Sequence, residues 1–155
     1  MSADEDFRNL SKIPILGTLE SDALRLIVFA GETRILRAAD ILFRRGDRSD
    51  CGYVLTSGVI AFDVRDDGTA ATVISKPFTL IGELALISET ERTFTAVARQ
   101  PSTVLKIPRS LFMRVLREYP GSARALRAMM SARLGGLMRE LNDKMLSWEI
   151  EPLPR

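Results

Sequence analysis

Near Thr33 the apolar period of the chain changes, and that change constrains the fold more than any other feature. From there to Ile107 apolar and polar residues alternate in short runs with a period of two, the pattern of strands that bury one face. The runs are ETRILRA, DILFRRGD, Tyr53-Val-Leu-Thr-Ser, Val59-Ile-Ala-Phe-Asp-Val, Thr72-Val-Ile, Thr95-Ala-Val-Ala and Thr103-Val-Leu-Lys-Ile. Turn residues separate them: Gly46-Asp47, Gly58, the hairpin signal Asp66-Asp67-Gly68, and Pro101. Short strands at this spacing imply a sandwich or a jelly-roll barrel.

Both flanks are helical in period. A short helix is expected around Asp6 to Lys12, ending before Pro14. Asp22 to Ala30 places Leu24, Ile27 and Val28 on one face, and Gly31 stops it. After Arg109, SLFMRVLREYP reads as one helix closed by Pro120. Ser122 is positioned to cap the next, ARALRAMMSARLGGLMRELNDKMLSW. The expected organisation is one domain: N-terminal helices over 1–31, a barrel over 32–108, helices over 109–148 and a frayed tail over 149–155. No repeat, low-complexity tract or linker interrupts it.

Composition removes several function classes. With 46% apolar and 27% charged residues the chain is a globular domain, not a disordered one. It has no histidine, which excludes Ser-His and Cys-His nucleophiles, imidazole bases and histidine metal sites. Cys51 is the single cysteine, so no internal disulfide or thiolate cluster forms. It reads as an inert small residue beside a turn. A non-enzymatic protein with no catalytic residues, no metal and no cofactor is expected. The formal charge of +2 is too weak to argue for nucleic acid. No apolar run reaches bilayer length, and MSADEDFRNL lacks a secretory pattern; a cytoplasmic protein off the membrane is expected.

The stretch Ile81 to Ala96, IGELALISETERTFTA, carries an acid, an apolar turn and a base within about ten residues. Gly82 permits positive φ or close backbone approach. Glu83-Leu-Ala-Leu-Ile makes one helical turn whose first amides lack acceptors and suit an anion. Arg92, returning after the Ser88-Glu-Thr-Glu turn, adds a guanidinium that matches a phosphate. The Glu83 carboxylate cannot serve a phosphate, but it accepts from hydroxyls such as those of a ribose. Taken singly, Glu83 reads as a solvated helix-start carboxylate and Arg92 as a surface arginine paired with Glu89 or Glu91. Together they describe a seat for a nucleotide.

G-E-L-A-L followed by R-T-x-T-A resembles the phosphate-binding cassette of cyclic nucleotide-binding domains, which occur in catabolite activator proteins, protein kinase A regulatory subunits and cyclic-nucleotide-gated channels. The similarity extends to the Ile13-Pro14 entry, the Arg45-Gly46-Asp47 and Thr56-Ser57-Gly58 turns, and Arg109-Ser-Leu-Phe. It implies an eight-stranded antiparallel jelly-roll barrel (a double-stranded β-helix) with flanking helices and a long C-terminal helix, and a cassette over 81–96. Glu83 then matches the acceptor from the ribose 2′-hydroxyl. Gly82, Leu84 and Ala85 match the backbone cradle, and Arg92 matches the arginine on the cyclic phosphate. Thr93 matches a position that donates to the phosphate or meets the base. Two features depart from the family. SKPFTLIGE lacks the usual glycine-rich turn, and Phe94 stands where alanine is customary, either crowding the base or packing in the barrel.

The resulting expectation is a stand-alone regulatory domain that binds a cyclic mononucleotide, cAMP ahead of cGMP, and signals through its C-terminal helices to an unidentified effector. A ligand-free interaction module of the same fold is the alternative, as is a transcription-regulator relative that needs a partner to contact DNA. Only seven residues follow Trp148, so direct DNA binding through a helix-turn-helix is not expected. Trp148 itself reads as a packing anchor. Leu126, Met130, Leu134, Leu137, Leu141, Met145 and Trp148 step by three and four, close to a heptad seam, and predict a parallel homodimer through 122–148. The competing expectation is a helix that breaks at Gly135-Gly136 and folds back onto the barrel.

Overall fold

The computed structural model describes the backbone of residues 3–63, 72–74 and 76–150, and the side chains of 4–63, 73–74 and 76–146. The hairpin signal Asp66-Asp67-Gly68, the side chain of Trp148 and the tail over 151–155 lie outside the described residues.

Three helices come first: α1 (Ala3–Leu10), the single turn α2 (Pro14–Gly17) and α3 (Ser21–Ala30). Pro14 opens α2, where its missing N–H costs nothing. α1 begins earlier than its apolar pattern suggests, with Asp4, Glu5 and Asp6 in the first turn, where the helix dipole favours them. Gly31 ends α3 in extended rather than left-handed backbone.

Among the described residues eight strands follow: β1 (Glu32–Leu36), β2 (Ile41–Phe43), β3 (Cys51–Ser57), β4 (Ile60–Asp63), β5 (Thr72–Ile74), β6 (Thr79–Ile81), β7 (Thr95–Ala98) and β8 (Ser102–Pro108). They form two antiparallel four-stranded sheets, ordered β1-β8-β3-β6 and β2-β7-β4-β5. The jelly-roll arrangement is as expected, but the two sheets are not closed into a barrel. Among the described residues no ladder joins one sheet to the other, and packing between them replaces closure.

The period of two decides which core each residue enters. On β3, Tyr53 and Leu55 point between the sheets with Ile60, Ala96 and Val104. Val54, between them in sequence, points the other way, with Leu105 and Ile107 of β8, into a second core under the helices. That core holds Leu10, Leu16, Leu24, Ile27 and the fully buried Phe112. A Phe112→Ala change belongs to the class costing about 3–5 kcal/mol. Gly58 joins β3 to β4 at φ +100, and a side chain there would collide with Ser102.

α4 (Arg109–Glu118) packs on α3, and α5 (Pro120–Ile150) follows after one residue. Pro120 opens α5 instead of merely closing α4, so Ser122 falls inside the first turn and is not its cap. Its buried hydroxyl instead accepts from the Glu20 amide at 2.8 Å, tying α5 to the start of α3. α5 runs unbroken through Gly135 and Gly136 for 31 residues, about 46 Å at 1.5 Å per residue. The alternative of a break and fold-back at the glycines is therefore not what forms. No helix among the described residues is long and apolar enough to cross a membrane.

Candidate functional site

β6 delivers the chain to the site. Ile81 is buried between the sheets, and Gly82 then turns at φ +81, ψ +48, a left-handed geometry that glycine adopts without strain. Glu83–Leu86 form a single 3₁₀ turn. The Ala85 amide donates to the Gly82 carbonyl at 3.1 Å, which leaves the Glu83 and Leu84 amides without acceptors inside the turn. Ala85 and Leu86 are buried and anchor the turn, while the Leu84 side chain is exposed and contributes its backbone only.

Arg109, at the start of α4, holds the turn from behind. Its Nε donates to the Ala85 carbonyl at 2.9 Å, and its terminal nitrogen donates to the Ser49 carbonyl. Ser49 in turn bonds Thr90 through backbone and hydroxyl, closing the loop that leads to Arg92. One arginine thus clamps both limbs of the cassette.

Arg92 is 8% exposed. Its backbone is pinned on both sides: its amide donates to Asp47 O and its carbonyl accepts from Gly46 N, each at 2.8 Å. One terminal nitrogen donates to the Cys51 carbonyl at 2.6 Å. The guanidinium carbon lies 4.3 Å from the centre of the Phe43 ring and 5.8 Å from that of Tyr53. The other terminal nitrogen lies against Gly82, where a Cβ would come within 2.5 Å of it. Gly82, the free amides and Arg92 are therefore brought together. Among the described residues Arg92 has no carboxylate partner; Glu89 pairs with Arg48 at 3.3 Å instead. The reading of Arg92 as a surface arginine paired with Glu89 or Glu91 is overturned by this burial.

The Glu83 carboxylate points the other way. It accepts from Arg133 of α5 at 2.6 Å, and both side chains are partly exposed, at 36% and 44%. Thr93 is exposed beside the cassette. Phe94 packs in the space between the sheets, stacked on Phe62 at 4.1 Å and tilted against Phe43 at 5.5 Å.

Burial raises the Cys51 thiol above its ordinary range and holds the Tyr53 hydroxyl protonated well into the alkaline range. The hydrogen bond from Cys51 holds the Asp50 carboxyl below the usual carboxylate value, against a smaller opposing effect of burial. Among the described residues no group of three or more metal-binding side chains is gathered.

Four contributors escaped the sequence reading: Arg109, Phe43, Tyr53 and Arg133. Arg109 appeared there only as part of a helix opening. Arg133 sits 50 residues from its partner, with no local pattern to mark it.

Residues 33–119 match the family model described as the cyclic nucleotide-binding domain. The chain is 28% identical over 121 residues to a lysophospholipase of Aspergillus fumigatus, covering 76% of this chain and 8% of that protein. It is 28% identical over 109 residues to a cAMP-dependent protein kinase regulatory subunit of Dictyostelium discoideum, covering 69% of this chain and 33% of that one. The chain thus spans a third or less of the length of these relatives. Among solved structures it is similar to a cyclic nucleotide-binding-like protein from Brucella abortus, with 36% identity and a TM-score of 0.67 over 73% of this chain and 98% of that one. The match spans the strands, the cassette turn, Arg92 and the Arg109 clamp, and the chain belongs to the cyclic nucleotide-binding domain family.

Proposed function

We propose that the chain binds a cyclic mononucleotide at the cassette and is a regulatory domain rather than an enzyme. The cyclic phosphate is taken by Arg92 and the Glu83 and Leu84 amides, with Gly82 and Ala85 completing the cradle. The ribose 2′-hydroxyl is taken by Glu83, and Thr93 meets the phosphate or the base. The observation that carries the reading is a nearly buried guanidinium, aimed at the start of the turn, with no carboxylate partner among the described residues. Burying a charge with no carboxylate at ion-pair distance is expensive, even with the field of Asp50 nearby, and an anion in the seat removes that cost. cAMP is favoured over cGMP, because Thr93 reaches a phosphate more easily than a guanine amino group; the name of the kinase regulatory relative agrees. Calorimetric titration with cAMP and cGMP tests this. Saturable binding, tighter for cAMP, is expected; no heat at millimolar ligand refutes it.

The Arg133–Glu83 pair supplies a route from site to helix. A ribose that engages Glu83 changes what Arg133 holds, and α5 responds through that difference alone. The work is done on a cytoplasmic effector.

We also propose that α5 forms a parallel homodimer. Leu134, Leu137, Met138, Leu141 and Met145 are 45–63% exposed along one continuous helix, which is costly for a solitary chain. Sedimentation of the wild type should give a dimer at tens of micromolar, and Leu137→Glu with Leu141→Glu a monomer. A monomeric wild type with and without nucleotide sinks the dimer.

A second reading has one observation in its favour. Phe94, stacked on Phe62, occupies space between the sheets, as in a domain that serves as a ligand-free interaction module. The same titration separates the two readings.

A further inference from the structure

A cavity of about 500 Å³ opens beside Glu83, between the α1–α2 junction, the loop entering β6 and the middle of α5, and Arg92 is not in its lining. That volume accommodates a small organic ligand. Its charged lining is Lys12, Lys76, Arg133 and Glu83. Glu83 and Arg133 cancel one another at 2.6 Å. Lys12 and Lys76 remain, and among the described residues neither has an ion-pair partner. Two uncompensated cations in a concave site focus positive potential into it.

Part of the lining is apolar and held in place. Phe78 has φ +61, a left-handed backbone that an aromatic residue rarely adopts. It is kept there by its own amide, which donates to Leu55 O at 2.6 Å. The next hydroxyl, of Thr79, donates to Lys76 O at 2.8 Å and closes the loop that carries the lysine. With Pro14 and Pro77 the ring presents a rigid apolar surface beside the two ammonium groups. Strained backbone of this kind gathers where a ligand site must be preformed.

We infer that this cavity is a second ligand site, built for a small organic phosphate whose phosphoryl group lies between Lys12 and Lys76 and whose apolar body lies on Pro77 and Phe78. Arg92 takes no part in it. The site borders the Glu83–Arg133 pair, so its occupant offers Arg133 a second acceptor. That coupling rests on the cyclic nucleotide reading of Glu83; the binding itself does not.

The test uses the full chain, with phenyl phosphate as probe, titrated calorimetrically into Arg92→Ala, which lacks the proposed phosphate seat of the cassette, alone and combined with the Lys12→Gln, Lys76→Gln double variant. Both lysines are exposed, so the double variant folds, and an unchanged thermal midpoint verifies it. Saturable one-to-one binding to Arg92→Ala is expected, at least tenfold weaker when both lysines are also replaced. Equal binding with and without the lysines, or no saturable binding to Arg92→Ala, overturns the site. Failure of cAMP to bind would refute the cassette reading and leave this result standing.

Discussion

The two halves of the cassette are built to different standards. The Arg92 half is buried, pinned through backbone and side chain, and stacked on aromatic rings. The Glu83 half is partly exposed and rests on one ion pair with a residue of another helix. Under the proposed function the phosphate seat is formed in folding, whereas the ribose acceptor is shared with α5, so the rigid half recognises and the shared half reports.

The sharpest break of this contrast is Arg92→Ala. Truncating a buried charge at a phosphate contact should weaken cyclic nucleotide binding by about 2–5 kcal/mol, measured by calorimetry. Glu83→Ala should weaken it by about 1.5–3 kcal/mol, the scale of one hydrogen bond to a charged group. Its effect on the unfolding free energy should be only about 0–1 kcal/mol, since the pair with Arg133 is partly exposed. Denaturant melts of the two variants therefore separate the halves.

Gly82→Ala strikes where the halves meet. It forces a left-handed alanine and sets a Cβ against the Arg92 guanidinium. A loss of about 1–3 kcal/mol in stability is expected by chemical denaturation. Unchanged stability would mean that Arg92 is free to move, contrary to its buried setting.

The weakest expected signal is in the pH dependence. The folded thiol of Cys51 is raised above its ordinary 9.0 by burial, so folding favours the protonated form. Its contribution is fully present below pH 9 and lost as pH rises through the folded value, because the unfolded chain ionises first. Tyr53 extends the same loss upward from its ordinary 10.0. Thermal melts from pH 7 to 11 should fall above pH 9, and Cys51→Ser should flatten the first part of the fall.

The strands announce themselves because one buried face imposes a period of two, and glycine and aspartate mark the turns. β6, Thr79-Leu-Ile directly after Pro77 and Phe78, does not. Gly82 and Arg92 are legible because their chemistry is local to one stretch. Arg109 and Arg133 act across 24 and 50 residues, and no spacing rule links such partners. The role of Ser122 is hidden for a related reason: its partner is Glu20, 102 residues away, and a capping pattern cannot anticipate that competitor. Closure of the sheets into a barrel depends on pairing between strand edges, which apolar alternation does not encode.

The central claim is that the buried Arg92 side is a preformed phosphate seat. Phosphorus NMR of cAMP titrated with the full chain reads it most directly. The ³¹P resonance should shift and broaden with the wild type, keep doing so with Glu83→Ala at higher protein concentration, and stay at its free position with Arg92→Ala. An identical perturbation by the wild type and a folded Arg92→Ala variant would contradict it.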